Sequence, residues 1–192
     1  MEKIRSFIAI ELPGELKLAL ARLHDRLKSG SRAPVKWVDT GSIHLTLKFL
    51  GNIDPGTVDK ITAVLEEAAH STHPFNIEVS GLGVFPNVRR VRVVWVGLTG
   101  EVEKLGQLQQ RIETGLIPLG FAAESRPFTP HLTLGRVRDY VTPDEQQDLG
   151  QLVTGTAFEE KYQMSINAVH LMKSQLTREG PIYSKITTVA LR

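Results

Sequence analysis

The sequence contains no cysteine, which excludes disulfide frameworks, thiolate metal sites and cysteine nucleophiles together. It also lacks a long apolar run. The stretch Phe7 to Ile10 is closed by Glu11, well short of a signal core or a membrane span. Neither charge sign is in large excess: a net charge of +2 and a pI near 8.9 suit a phosphate-bearing ligand, but not a protein that coats long nucleic acid. No low-complexity arm and no repeat of fixed short period is present. The expected setting is the cytoplasm, with no membrane partner. At 192 residues, 41% of them hydrophobic, the chain can bury one core or two small lobes that share an interface, so a single domain over residues 1–192 is expected.

What is present reads as mixed helices and strands. Ile4 to Ile10 makes a largely buried first strand closed by Pro13-Gly14. Glu15 to Leu27 follows at helical spacing, with Leu16, Leu18, Leu20, Leu23 and Leu27 as its apolar face. Val35 to Val38 and Ile43 to Leu50 are two short strands. Asp54-Pro55 opens a second helix, Asp54 standing at the N-cap position. Phe75 to Ser80 and Arg90 to Leu98 are strands around a bend from Gly81 to Asn87, and Glu101 to Ile117 is a third helix. His131 to Val137 is a strand and Pro143 to Leu152 a helix, followed by strands over Tyr162 to Met172 and Ile182 to Leu191. No sustained strand-helix-strand rhythm appears, so the expected class is α+β with mainly antiparallel sheets.

One internal echo carries the chemistry. His44-Leu45-Thr46-Leu47 and His131-Leu132-Thr133-Leu134 are the same tetrapeptide, and a strand-helix-strand-strand grouping is expected around each copy. On a strand, His and Thr point to one face and the two leucines to the other. Two related lobes, each with one polar strand face, are the simplest reading. Opening a cyclic phosphodiester by in-line attack needs a base on one side of phosphorus and an acid on the other. Two imidazoles, with ordinary pKa values near ~6.5, can supply both, and each proton transfer is typically worth about 10²- to 10⁴-fold in rate. The threonine hydroxyls can stabilise charge that grows on the non-bridging oxygens. No metal or other cofactor is then required.

The paired tetrapeptides resemble those of the 2H phosphoesterases. The flanking text is similar to the RNA 2′,3′-cyclic phosphodiesterase branch, also called the 2′-5′ RNA ligase family: Arg5-Ser6-Phe7-Ile8-Ala9-Ile10, Trp37-Val38, Lys48-Phe49-Leu50-Gly51, Phe85-Pro86-Asn87, Gly135-Arg136, Ser174-x-Leu176 and Gly180-Pro181-x-Tyr183. The resemblance implies two pseudo-symmetric, mainly antiparallel sheets with helices outside and a central groove. It implies hydrolysis of an RNA-terminal 2′,3′-cyclic phosphate to a 2′-phosphate, tRNA fragments being one class of substrate. With no coiled-coil pattern or long exposed apolar segment in the sequence, a monomer is expected. It also implies that His44 is the proton donor to the departing 3′ oxygen and His131 the proton acceptor from water, an assignment the symmetry of the residues leaves open. Thr46 and Thr133 match phosphate-binding positions, and Phe49 and Arg136 match positions that sandwich the nucleobase.

Plainer roles compete for several of these residues. His70-Ser71-Thr72 also matches His-x-Thr, at the tail of a helix, and reads as surface. His170, among apolar neighbours, reads as structural. A zinc site would want three or more protein ligands, often at His-Glu-x-x-His spacing, and the sequence has none. Phe49 could be core and Arg136 a solvated edge charge. Arg89-Arg90-x-Arg92 serves equally as a charged strand entry or an RNA contact. Two other functions remain open: 2′-5′ ligation of tRNA halves at the same site, and a non-catalytic module that binds RNA ends.

Overall fold

The computed structural model describes residues 2–158, 161–178 and 180–192. Among the described residues nine strands form two antiparallel sheets. The first sheet holds β1 (Ile4–Glu11), β3 (His44–Ile53), β8 (Ala168–Leu176) and β9 (Pro181–Ala190), in the order β3-β1-β8-β9. The second holds β2 (Val35–Trp37), β4 (Phe75–Phe85), β5 (Val93–Gly100), β6 (His131–Val137) and β7 (Tyr162–Ile166), in the order β2-β6-β5-β4-β7. The class is therefore α+β. Among the described residues no helix is long and apolar enough to cross a membrane.

Among the described residues four α-helices cover the outer faces, and two of them are exchanged between the lobes. Helix α1 (Gly14–Gly30) leaves the first sheet at β1 yet lies against the second. Its His24 ring meets Trp37 of β2 edge-on, Arg22 donates to the Tyr162 hydroxyl of β7, and Gly30 abuts Leu152 of α4 (Pro143–Gly155). Helix α3 (Val102–Leu116) leaves the second sheet at β5 and covers the first, beside α2 (Val58–His70) and against β3. One continuous core results. It includes Ile8 and Leu171 of the first sheet, Val96 and Leu132 of the second, and Leu20, Leu65 and Leu105 of the helices, all fully buried. A smaller cluster of Phe7, Ala9 and Met172 lies on the helix-free face of the first sheet. That second apolar face explains why Ser6 to Ile10 are all buried and why β1 alternates so poorly in sequence.

Several elements differ from their sequence reading. In α1 the inward row is Leu16, Ala19, Leu20, Leu23 and Leu27, while Leu18 stands 64% exposed. Asp54 makes no side-chain cap: Pro55–Thr57 form a 3-10 turn first, and α2 starts at Val58. By contrast α4 carries a full capping box, Thr142 and Glu145 bonding reciprocally, with Pro143 at its first position. The supposed bend after Ser80 is mostly strand, since β4 continues to Phe85. Tyr162 to Met172 is two strands, divided at Asn167 between the two sheets. The grouping around the second tetrapeptide lacks a counterpart of β2, because residues 121–130, with Pro127 and Pro130 unable to donate, run as irregular chain.

Candidate active site

The two tetrapeptides begin β3 and β6, and these strands lie against each other where the sheets meet. In each copy His and Thr are half-buried and both leucines are buried. The same irregularity then follows in each. Along β3 the register with β1 passes from Thr46↔Ala9 to Lys48↔Ile8, leaving Leu47 as an extra residue. Along β6 the register with β5 passes from Thr133↔Trp95 to Gly135↔Val94, leaving Leu134 extra. A bulge of one residue restores parity. Phe49 and Arg136, at an odd spacing from their histidines, thereby return to the polar face instead of the core. Phe49 is 68% exposed and Arg136 is exposed.

Both imidazoles are held alike. His44 Nδ1 lies 2.8 Å from the Ser42 carbonyl oxygen and His131 Nδ1 lies 2.7 Å from that of Thr129. A carbonyl only accepts, so Nδ1 carries the proton and donates, which leaves Nε2 of each ring for chemistry. Aromatic edges fix the ring planes: Tyr183 at 5.5 Å and Phe7 at 6.0 Å from His44, Phe85 at 5.1 Å from His131. This apolar surround has an electrostatic effect. Burial holds His44 below the ordinary histidine value, its bond to Ser42 opposes that, the Lys17 and Lys185 charges add to the lowering, and Glu11 resists it. Neither Thr46 nor Thr133 has its hydroxyl engaged by another described residue.

The supports beneath the two strands differ. At the bulge of β6, Gly135 is required by close approach: a Cβ there would sit 2.7 Å from Val35 and 2.8 Å from the Trp37 ring. At the matching place in β3 stands Lys48, buried, with its ammonium 2.6 Å from Glu113 of α3 and 2.7 Å from the Ala122 carbonyl. Glu113 also accepts from Gln109 and from the Glu124 amide. A buried ion pair thus ties β3, α3 and the chain before β6 together. Under Trp95, Gly83 lets the indole lie on β4, since a Cβ would come within 2.1 Å of the ring.

Beside His44 opens a cavity of about 580 Å³ whose lining includes Glu11, Lys17, Asp39, Ser42, Tyr183 and Lys185. Each of its charged groups has a hydrogen-bond partner, and one pair is ionic. Lys185 donates to Glu11 at 3.0 Å, Lys17 to the Gly41 carbonyl, and Ser42 to Asp39. No group of three or more His, Cys, Asp or Glu side chains among the described residues is placed to hold a metal ion. His170 is buried and bonds Thr188 at 3.0 Å, while His70 is exposed at the end of α2. Arg92 pairs with Asp139. The sequence reading missed the roles of Phe7, Tyr183, Phe85 and the Lys48–Glu113 pair. All but Glu113 stand in the family-like stretches named above, but only cross-strand register brings the three aromatic rings to the histidines.

The family model of the 2′-5′ RNA ligase superfamily matches residues 16–178. An RNA 2′,3′-cyclic phosphodiesterase from Methanothermobacter thermautotrophicus is 36% identical, over 98% of this chain and 100% of its own. One from Aeropyrum pernix is 34% identical, over 88% and 93%. Among solved structures, E. coli LigT complexed with 3′-AMP is similar with a TM-score of 0.78 at 25% identity, each chain being covered to 99%. With a family match over most of its length and relatives above 30% identity along nearly all of it, the chain belongs to the 2′-5′ RNA ligase superfamily.

Proposed function

We propose that this chain hydrolyses RNA-terminal 2′,3′-cyclic phosphate to a 2′-phosphate without a metal, using His44 and His131 as an acid and base pair on one phosphorus. The observation that carries the reading is the duplicated strand: two tetrapeptides with the same bulge and the same Nδ1 anchor, each leaving Nε2 free on the polar face. The activity named for relatives over nearly the whole chain supports it. His131 takes the proton of the attacking water and His44 delivers one to the departing 3′ oxygen. Thr46 and Thr133 donate hydroxyls to the non-bridging oxygens, where negative charge accumulates. Phe49 and Arg136 hold the nucleobase between an aromatic face and a guanidinium plane, which accepts any base because every base has a π face. The donor must be protonated, and the anionic phosphate favours His44 imidazolium once substrate excludes water.

The test is turnover of a cyclic-phosphate-ended oligonucleotide in the presence of a chelator, with 2′-phosphate ends as the expected product. Replacing either histidine by Ala should lower kcat by about 10²- to 10⁴-fold. Undiminished activity in the double variant would sink the mechanism. The superfamily description favours a second outcome at the same site: a 5′-hydroxyl in the place of water would form a 2′-5′ linkage. Supplying cleaved tRNA halves and comparing joined with hydrolysed product separates the two.

A further inference from the structure

Lys36 of β2 and Arg136 of β6 are direct register partners. Their neighbours Val35, Trp37, Gly135 and Val137 face the interior, as the approach of Val35 and Trp37 to Gly135 requires. Lys36 therefore stands on the same face as Arg136, and both are exposed. Like charges directly opposite on a sheet are destabilising. Neither side chain makes a hydrogen bond or an ion pair with any described residue, and the nearby Asp139 is committed to Arg92. A lysine on an edge strand commonly guards against pairing with other chains. That explains a lysine at the edge, but not its placement against an unneutralised arginine. The other lysines near the site, Lys17 and Lys185, share their cavity with Glu11 and Asp39. Among the described residues, Lys36 and Arg136 thus form an adjacent pair of exposed cations with no carboxylate partner.

We infer that Lys36 binds the RNA phosphodiester immediately 5′ of the terminal nucleotide, so that the Lys36–Arg136 corner is a second phosphate subsite. The inference rests on the function proposed above. Thr133, placed at the reacting phosphate, is three residues from Arg136, about 7–10 Å along a bulged strand and so roughly one nucleotide away. The guanidinium that stacks on the terminal base with its plane keeps its N–H edges for that phosphate, and the Lys36 ammonium adds a point charge beside it.

Kinetics on two substrates test this: a mononucleoside 2′,3′-cyclic phosphate, which lacks the linkage, and a trinucleotide with the same cyclic end. In the unaltered protein the trinucleotide should have the lower KM and the steeper salt dependence. Lys36→Gln should reduce that KM preference about tenfold, the value of a charge-assisted contact. It should also reduce the slope of log(kcat/KM) against log[salt] for the trinucleotide by about 0.7, one phosphate on a single strand. Lys36→Arg should keep both. Because the substitution relieves repulsion in the free protein, Lys36→Gln should melt at or above the unaltered Tm at low salt, so misfolding does not mimic the effect. An unchanged KM preference and slope in Lys36→Gln overturns the inference, including where the variant only aggregates more readily. Equal losses on both substrates overturn it too. No turnover of either substrate by the unaltered protein removes the functional reading and this inference with it.

Discussion

His44 and His131 are anchored through the same atom to a carbonyl two residues earlier, so the division of labour proposed for them must come from what surrounds each ring. For His44 the surround is the Phe7 and Tyr183 edges and a burial that depresses its pKa below the ordinary 6.5. Such a ring is largely neutral in the free protein at neutral pH, and in the proposed donor role it would regain its proton when the anionic phosphate arrives. The sign is testable. kcat/KM reports the free protein and kcat the complex, so loss of the His44 proton should bend kcat/KM downward beginning below pH 6.5. The alkaline limb of kcat should lie at higher pH. Profiles measured on a mononucleoside substrate decide it, and coincident alkaline limbs would argue against the donor role. The histidines were legible because their tetrapeptide is repeated. The carbonyls of Ser42 and Thr129 were not, because any residue type supplies a carbonyl.

Among the elements, β3 and β6 show how much rests on one extra residue. The strand pattern of His44 to Leu47 was readable by simple alternation, but alternation alone sends Phe49 and Arg136 inward. Only the register break after Thr46 and Thr133 brings them back, and a bulge leaves no clear mark in a single sequence. Lys48 is the other consequence of that break. It is turned into the core, where its side chain is 5% exposed and that of Glu113 is 8% exposed. Removing one member of such a pair strands the other, so Lys48→Met should cost about 3–5 kcal/mol in a denaturant titration. Adding Glu113→Leu should recover part of that. If Lys48→Met is neutral, the pair does not hold β3 to α3. The motif text ran Lys48-Phe49 together. Burial separates them, one to the scaffold and the other to the proposed base sandwich.

At the level of the whole molecule, class and approximate element order were legible from periodicity, because long apolar-periodic segments such as α3 declare themselves. The partition of elements between sheets was not. Residues 162 to 172 look like one strand, and nothing local to Asn167 says that the chain changes lobe there. Long-range pairing and burial decide such assignments, not propensity. Because the core runs through both sheets, heat or denaturant should unfold the protein in one transition, with probes of α1 and of α3 coinciding. Separate midpoints would mean that the lobes are independently stable.

The exchange of α1 and α3 also bears on how the chain could be divided. A cut in the exposed turn after Phe85 would give an N-terminal piece that carries α1 but only part of the sheet it covers. The C-terminal piece would carry α3 without β1 and β3. Each fragment holds a lid made for the other, and neither can bury its own apolar faces. Alone, both should remain unfolded or aggregate; produced together, they should reassemble into a working whole.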